Sequence, residues 1–181
     1  WVANGQYQPN RVWFNDGFGN FIDSGQALGN SISYDVALGD VDGDGDLDAW
    51  VANEDQPNRI WKNDGLGNFS ESGQMGGGGN RAVALGDVDL DGDLDAFVAN
   101  TSAQTNLVFL NDGLGNFADS GLVGLSDSWS RSVSLGDLDG DGDLDACVTN
   151  LFSQPSIVLI NQSTCFNDDD ADGIPNDCDI D

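Results

Sequence analysis

The sequence predicts an all-β protein of four-stranded antiparallel blades, repeated about three and a half times at a spacing of about 48 residues and followed by a short loop-rich tail. Three observations predict it. First, a long phrase recurs in register: LGDVDGDGDLDAWVAN ends at Asn53, LGDVDLDGDLDAFVAN at Asn100 and LGDLDGDGDLDACVTN at Asn150. The chain opens on WVAN, the end of the same phrase, at Asn4, so the steps are 49, 47 and 50 residues. Second, a companion phrase keeps step: NDGFGNF from Asn15, NDGLGNF from Asn63 and from Asn111, and a decayed copy, NQS, from Asn161. Third, no stretch sustains a 3.6-residue apolar period, and the density of Gly and Asp disfavours helical repeats.

Each unit divides into short strands separated by turns. Residues 36–38 form a strand before the acidic run. Residues 49–53, aromatic and β-branched, form a second, and residues 58–61 a third. Asp64-Gly65 opens a turn that leads to a fourth strand around Phe69. Four short strands in this length make one blade of β-propeller type. The blades occupy residues 1–162 and the tail residues 163–181.

Charge excludes several functions. The 181 residues carry 32 acids against 5 Lys and Arg, with no His, for a net charge of −27. Only Glu54 and Glu71 are Glu, so the other acids are Asp. There is no basic surface for nucleic acid or for anionic lipid. No apolar run approaches the length of a membrane span. At 39% hydrophobic residues with five Trp, the chain is not a disordered acidic segment, and it is long enough to bury about 70% of its extended surface.

The acidic runs carry the chemistry. Asp40, Asp42, Asp44, Asp46 and Asp48 alternate around Gly45; Asp87, Asp89, Asp91, Asp93 and Asp95 do so around Gly92; Asp137, Asp139, Asp141, Asp143 and Asp145 around Gly142. Alternate carboxylates converge on one hard cation when the loop curls round it. The glycine permits the sharp turn, the seventh residue offers its carbonyl and the ninth a further carboxylate. Oxygen-only coordination suits Ca²⁺. Without a cation, like charges about 4 Å apart repel by roughly 4 kcal/mol at an effective dielectric of 20. A helix–loop–helix site would need Glu at the twelfth residue, where Val51, Val98 and Val148 stand in the following strand. The loop is therefore expected to be a β-hairpin connection.

These loops, with the NDGxGNF turns beside them, resemble the FG-GAP/VCBS repeats of integrin-type β-propellers over about residues 1–162. The resemblance implies that each loop joins the first two strands of a blade and binds one Ca²⁺. It would use the side chains of Asp40, Asp42, Asp44 and Asp48, the carbonyl of Asp46, and their counterparts in the other two loops. The blade number departs from the family, whose closed rings usually hold seven. Residues 165–179, CFNDDDADGIPNDCD, resemble a thrombospondin type 3 repeat. That likeness implies a fourth Ca²⁺ held by Asp168, Asp170, Asp172, the carbonyl of Ile174, Asn176 in place of the usual Asp, and Asp179. Cys165 and Cys178 flank this loop and are expected to form a disulfide, which implies an oxidising, extracellular location.

Other residues have plainer readings. Trp1, Trp50, Phe97 and Cys147 are equivalent, as are Trp13, Trp61, Phe109 and Leu159, and all are expected in the core or between blades. Trp129 lies outside the repeat register and is the candidate for an exposed contact. Tyr34, Arg81 and Arg131 are equivalent, and the arginines are expected to pair with Asp. Asn68, Asn100 and Asn161 begin glycosylation triplets. With no His and a single Lys, Lys62, no catalytic constellation emerges.

The expected function is that of a Ca²⁺-stabilised extracellular structural or adhesion protein without catalysis. Open blade edges would allow a homo-oligomer or fibre. The alternative is a glycan- or protein-recognition fragment of a larger secreted protein or enzyme.

Overall fold

A computed structural model describes residues 1–101, 104–123 and 129–162. The tail, with Asp168, Asp170, Asp172, Ile174, Asn176, Asp179 and the Cys165–Cys178 pair, lies outside the described residues. Every regular element among those described is a strand. A two-stranded sheet pairs β1 (Asn10–Asn15) with β2 (Phe21–Leu28), and Val2 bridges to Arg11 beside it. A four-stranded antiparallel meander follows, made of β3 (Ser33–Gly39), β4 (Asp48–Asn53), β5 (Asn58–Asn63) and β6 (Phe69–Met75). The next repeats it with β7 (Asn80–Gly86), β8 (Asp95–Asn100), β9 (Leu107–Asn111) and β10 (Phe117–Val123). The last described sheet is β11 (Ser130–Gly136), β12 (Asp145–Asn150) and β13 (Ile157–Leu159).

The second strand of each four-stranded unit shows why the sheets stack. All six residues of β4 are buried, as are all six of β8. Side chains alternate between the two faces of a strand. Ala49 and Val51 of β4 therefore pack with Val12, Leu28 and Trp61 on one face. Trp50 and Ala52 pack with Ile60, Val98, Phe109 and Phe117 on the other. One repeat on, Phe97 and Ala99 of β8 meet Val133, Ala146 and Val148. Trp50 is fully buried, its ring 5.9 Å from Phe109 and 6.3 Å from Phe117. Burial of one such side chain contributes about 1.5–3 kcal/mol.

Two core expectations need correction. Trp13 is 39% exposed although its counterparts Trp61 and Phe109 are 6% and 2% exposed. Its sheet packs on the next unit through Val12 and Leu28, and among the described residues nothing covers the opposite face. Cys147 is only half-buried, because Ala146 and Val148 point into the core between sheets while Cys147 points away.

Asparagines fix the turn after the second strand. Asn53 N–H donates to Asn58 Oδ1 at 3.0 Å and Asn53 Nδ2 donates to Pro57 O at 2.8 Å. The same pair of bonds recurs at Asn4 with Asn10 and Pro9, and at Asn100 with Asn106 and Thr105. The distant phrases VAN and QPN are thus two halves of one self-capped turn. Asn100, which begins one of the glycosylation triplets, is 2% exposed, and a glycan there would have to displace the turn. Asn68 is exposed, and Asn161 is half-buried with its Nδ2 donating to Val88 O at 2.8 Å.

Candidate metal centres

Each acidic run is the hairpin connection between the first and second strands of a sheet: β3 to β4, β7 to β8 and β11 to β12. The turn glycines do what their positions require, with φ of 91° at Gly45, 94° at Gly92 and 95° at Gly142. In the second loop Leu90 adopts φ 65°, where the others have Gly43 and Gly140.

The first carboxylate of each loop folds the loop about itself. Asp40 Oδ1 accepts from Gly43 N–H and Oδ2 from Gly45 N–H, both at 2.9 Å. Asp137 accepts from Gly140 and Gly142, and Asp87 Oδ2 from Gly92. The ninth residue is a clamp. Asp48 accepts from Val41 N–H at 3.2 Å and from Asn63 N–H at 2.8 Å. Asp95 does the same with Val88 and Asn111, both at 2.9 Å, and Asp145 with Leu138 and Asn161 at 2.7 and 2.8 Å. Each clamp ties the loop to the end of the third strand or just beyond it. This explains why the NDG phrase keeps step with the acidic phrase.

Three carboxylates meet in every loop. One oxygen each from Asp40, Asp42 and Asp48 lie within 4.8 Å of one another, as do those from Asp87, Asp89 and Asp95 and from Asp137, Asp139 and Asp145. The fifth residues, Asp44, Asp91 and Asp141, fall outside these triads. Each accepts the N–H of the seventh residue: Asp46, Asp93 or Asp143. Asp46 and Asp93 turn their carboxylates instead toward Gly65 and Gly113 of the NDG turn, where an added methyl would stand 2.5 Å from Oδ2.

Electrostatics separates these loops from the neighbouring turns. Burial raises the carboxyl pKa of Asp48, Asp89 and Asp93, with neighbouring aspartates adding to the effect. Burial pushes Asp95 up to about 6. In the NDG turns the shift is opposite. The side-chain amides of Asn20, Asn68 and Asn116, with backbone N–H groups, hold Asp16, Asp64 and Asp112 below the usual carboxylate range. Those turns are satisfied by their own hydrogen bonds, whereas the loops concentrate negative charge. Buried oxygens without a partner mark the same places: Asp42 Oδ1 and Asp87 Oδ1. An all-oxygen triad with an orphaned buried oxygen fits a hard divalent cation.

A family model for the FG-GAP-like repeat matches residues 40–98 and again residues 87–148. The chain belongs to the FG-GAP-like repeat family. A search of curated proteins finds no match. Each FG-GAP-like match begins at the first Asp of one acidic loop and ends in the strand after the next. The sequence unit of the family therefore straddles two sheets of this fold.

One residue at the FG-GAP-like loops escaped the sequence reading. Lys62 Nζ lies 3.0 Å from Asp42 Oδ2 and donates to Leu114 O at 2.7 Å. A signal was present, since the equivalent residues are Leu110 and Ile160 and a lone lysine breaks an apolar position. The expected Arg–Asp pairing is also corrected. Arg81 pairs with Glu54 at 3.1 Å and stacks on Tyr34, its guanidinium carbon 3.7 Å from the ring centre.

Proposed function

We propose that this chain is a Ca²⁺-stabilised structural or adhesion module of the cell exterior, without catalysis of its own. The carboxylate triads carry this reading, above all the buried and unpartnered oxygens of Asp42 and Asp87. Bound Ca²⁺ would supply charge neutralisation. Asp40, Asp42 and Asp48 would hold it in the first loop, Asp87, Asp89 and Asp95 in the second, and Asp137, Asp139 and Asp145 in the third. The chain's own part is to fix the loop: the ninth carboxylate joins it to the strand that follows, and the glycines let it close. Because the carboxylates repel when empty, metal binding becomes folding energy. The non-catalytic reading rests on the absence of His and on the engagement of Lys62 with Asp42. Thermal melts in millimolar Ca²⁺ and in EDTA test the proposal, with titration calorimetry to count sites. A sharp loss of melting temperature in EDTA is expected, and an unchanged melt would sink the reading. A fourth Ca²⁺ and the Cys165–Cys178 disulfide belong to the same proposal. Reduction and alkylation read by mass spectrometry test the disulfide.

Exposed apolar residues support an assembly role. Trp13 and Phe21 on the first sheet and Val158 on the last are exposed, and Cys147 is half-exposed, while Trp61, Phe109, Ile60 and Phe97 in the central sheets are buried. Head-to-tail contacts between such faces would build a fibre. Light scattering in Ca²⁺ and in EDTA tests it, and a monomer under both conditions would refute it. The recognition alternative rests on Trp129, exposed and edge-on to the exposed Phe152 at 5.1 Å. A glycan array run with Trp129→Ala as control would reveal it.

A further inference from the structure

The first strands β3, β7 and β11 each carry a one-residue irregularity at the same place in the repeat: Tyr34, Arg81 and Arg131. An irregularity of this kind re-aims a side chain out of the regular alternation. These three residues and their successors Asp35, Ala82 and Ser132 line one cavity of about 340 Å³. That volume sits at the small end of ligand sites, which run from about 300 to 1,000 Å³.

The charge in this cavity is unusual for the chain. There are 5 basic residues. Arg11 pairs with Asp23, Arg59 with Glu71, Lys62 with Asp42 and Arg81 with Glu54. Arg131 is exposed and has no ion partner among the described residues. The repeat explains why. Glu54, directly after β4, answers Arg81 and accepts from the Tyr34 hydroxyl at 2.7 Å. One repeat on, Thr101 stands in place of Glu54 and brings no charge. The Asp35 carboxylate in the cavity wall keeps its charge, but it is turned to backbone, accepting from Val36 N–H at 2.9 Å and from Val83 N–H at 3.1 Å, and it makes no ion pair with Arg131. Arg131 is thus a cation at a concave site with no acid in contact among the described residues, in a chain whose net charge is −27.

We propose that this cavity is a binding site for a small carboxylate ligand, with the Arg131 guanidinium pairing with the carboxylate and the Ser132 hydroxyl beside it. A guanidinium fork matches a carboxylate in a planar, bidentate geometry, and one such fork pairs with one carboxylate. The size fits one sugar acid or one peptide terminus. This site is separate from the metal loops and stands whether or not they bind Ca²⁺.

The test is amide and arginine side-chain NMR on the full chain in millimolar Ca²⁺, titrated with glucuronate and with N-acetylglycine. Glucose and N-acetylglycinamide serve as neutral controls. Shifts confined to residues 34–35, 81–82 and 131–132 are expected, with millimolar affinity. Arg131→Gln should weaken binding at least tenfold while its melting temperature stays unchanged, and Arg131→Lys should fall between. A response to glucuronate alone assigns a sugar acid, to N-acetylglycine alone a peptide terminus, and to both the carboxylate itself. Three outcomes would overturn the proposal: equal shifts from the neutral controls, shifts at the acidic loops in place of the cavity, or undiminished binding by Arg131→Gln.

Discussion

Asn111 Nδ2 donates to Val41 O at 2.8 Å, a bond that reaches from the NDG turn of one sheet into the acidic loop of the sheet before it. The same amide donates to Leu94 O at 3.2 Å in its own sheet's loop, and Asn111 Oδ1 accepts from Gly115 N–H at 3.1 Å. Asn161 repeats the inter-sheet bond to Val88 O. Loop, turn and neighbouring acidic loop are therefore joined in one hydrogen-bonded chain.

Removing that link should be costly. Asn111→Ala leaves Val41 O unpaired in a buried setting, where an unsatisfied group costs about 1–3 kcal/mol. Urea unfolding should show a loss of that order. Asn15→Ala should change little, because Asn15 is exposed and, among the described residues, its side chain accepts only from Gly17 N–H.

Gly86→Ala should destabilise for a steric reason alone. A methyl group at Gly86 would stand 2.7 Å from Leu144 Cδ1 and 2.9 Å from Leu135 Cδ1. Gly39 is equivalent and faces Leu94 and Leu85 in the same way. Overpacking of a rigid core costs about 1–3 kcal/mol, and the cost here falls at the low end because the tips of the half-buried Leu135 and Leu144 can swing aside. Gly45 also resists substitution, but through its φ of 91°. Gly45→Ala should therefore destabilise by strain, and a urea series of the two variants should find both less stable than the parent.

Lys62 makes the first loop unlike the other two. Its ammonium already partners Asp42 Oδ2, so a divalent cation there meets a resident positive charge. Lys62→Met should tighten the first site by roughly tenfold, about 1.4 kcal/mol. Calorimetry that resolves the sites should show one changing while the others hold.

In the metal-free chain Asp95 keeps its proton up to about 6, chiefly because it is buried. An unfolded Asp titrates near about 3.9. The folded state thus binds more protons between these values. Its contribution to stability is fully present below about pH 4 and is lost as pH rises through about 6. Ca²⁺ needs the ionised form, so its effect runs the other way. The gain in melting temperature on adding Ca²⁺ should be larger at pH 7 than at pH 5, read by calorimetry at both.

Much of this was legible in the sequence because the code is local. The DxDxDGxxD spacing predicts a tight acidic hairpin, and the loops stand between the first two strands of three of the four described sheets. The strand at residues 49–53 appears as Asp48–Asn53 and that at 58–61 as Asn58–Asn63. What escaped depends on neighbours. The ninth Asp reads as one more ligand, yet it also clamps two backbone N–H groups from distant parts of the unit. Lys62 reads as an isolated charge until Asp42 is placed beside it.

The sequence by itself determined the repeat, the turns and the gathering of carboxylates, because these rest on φ angles and on spacing within nine residues. Only the tertiary structure decided which repeated aromatics are covered. Trp13 and Trp61 occupy one position in the unit, and a side chain is buried only where another sheet lies against it. It also decided that Tyr34, Arg81 and Arg131 share one cavity, since residues about fifty apart meet only when sheets stack.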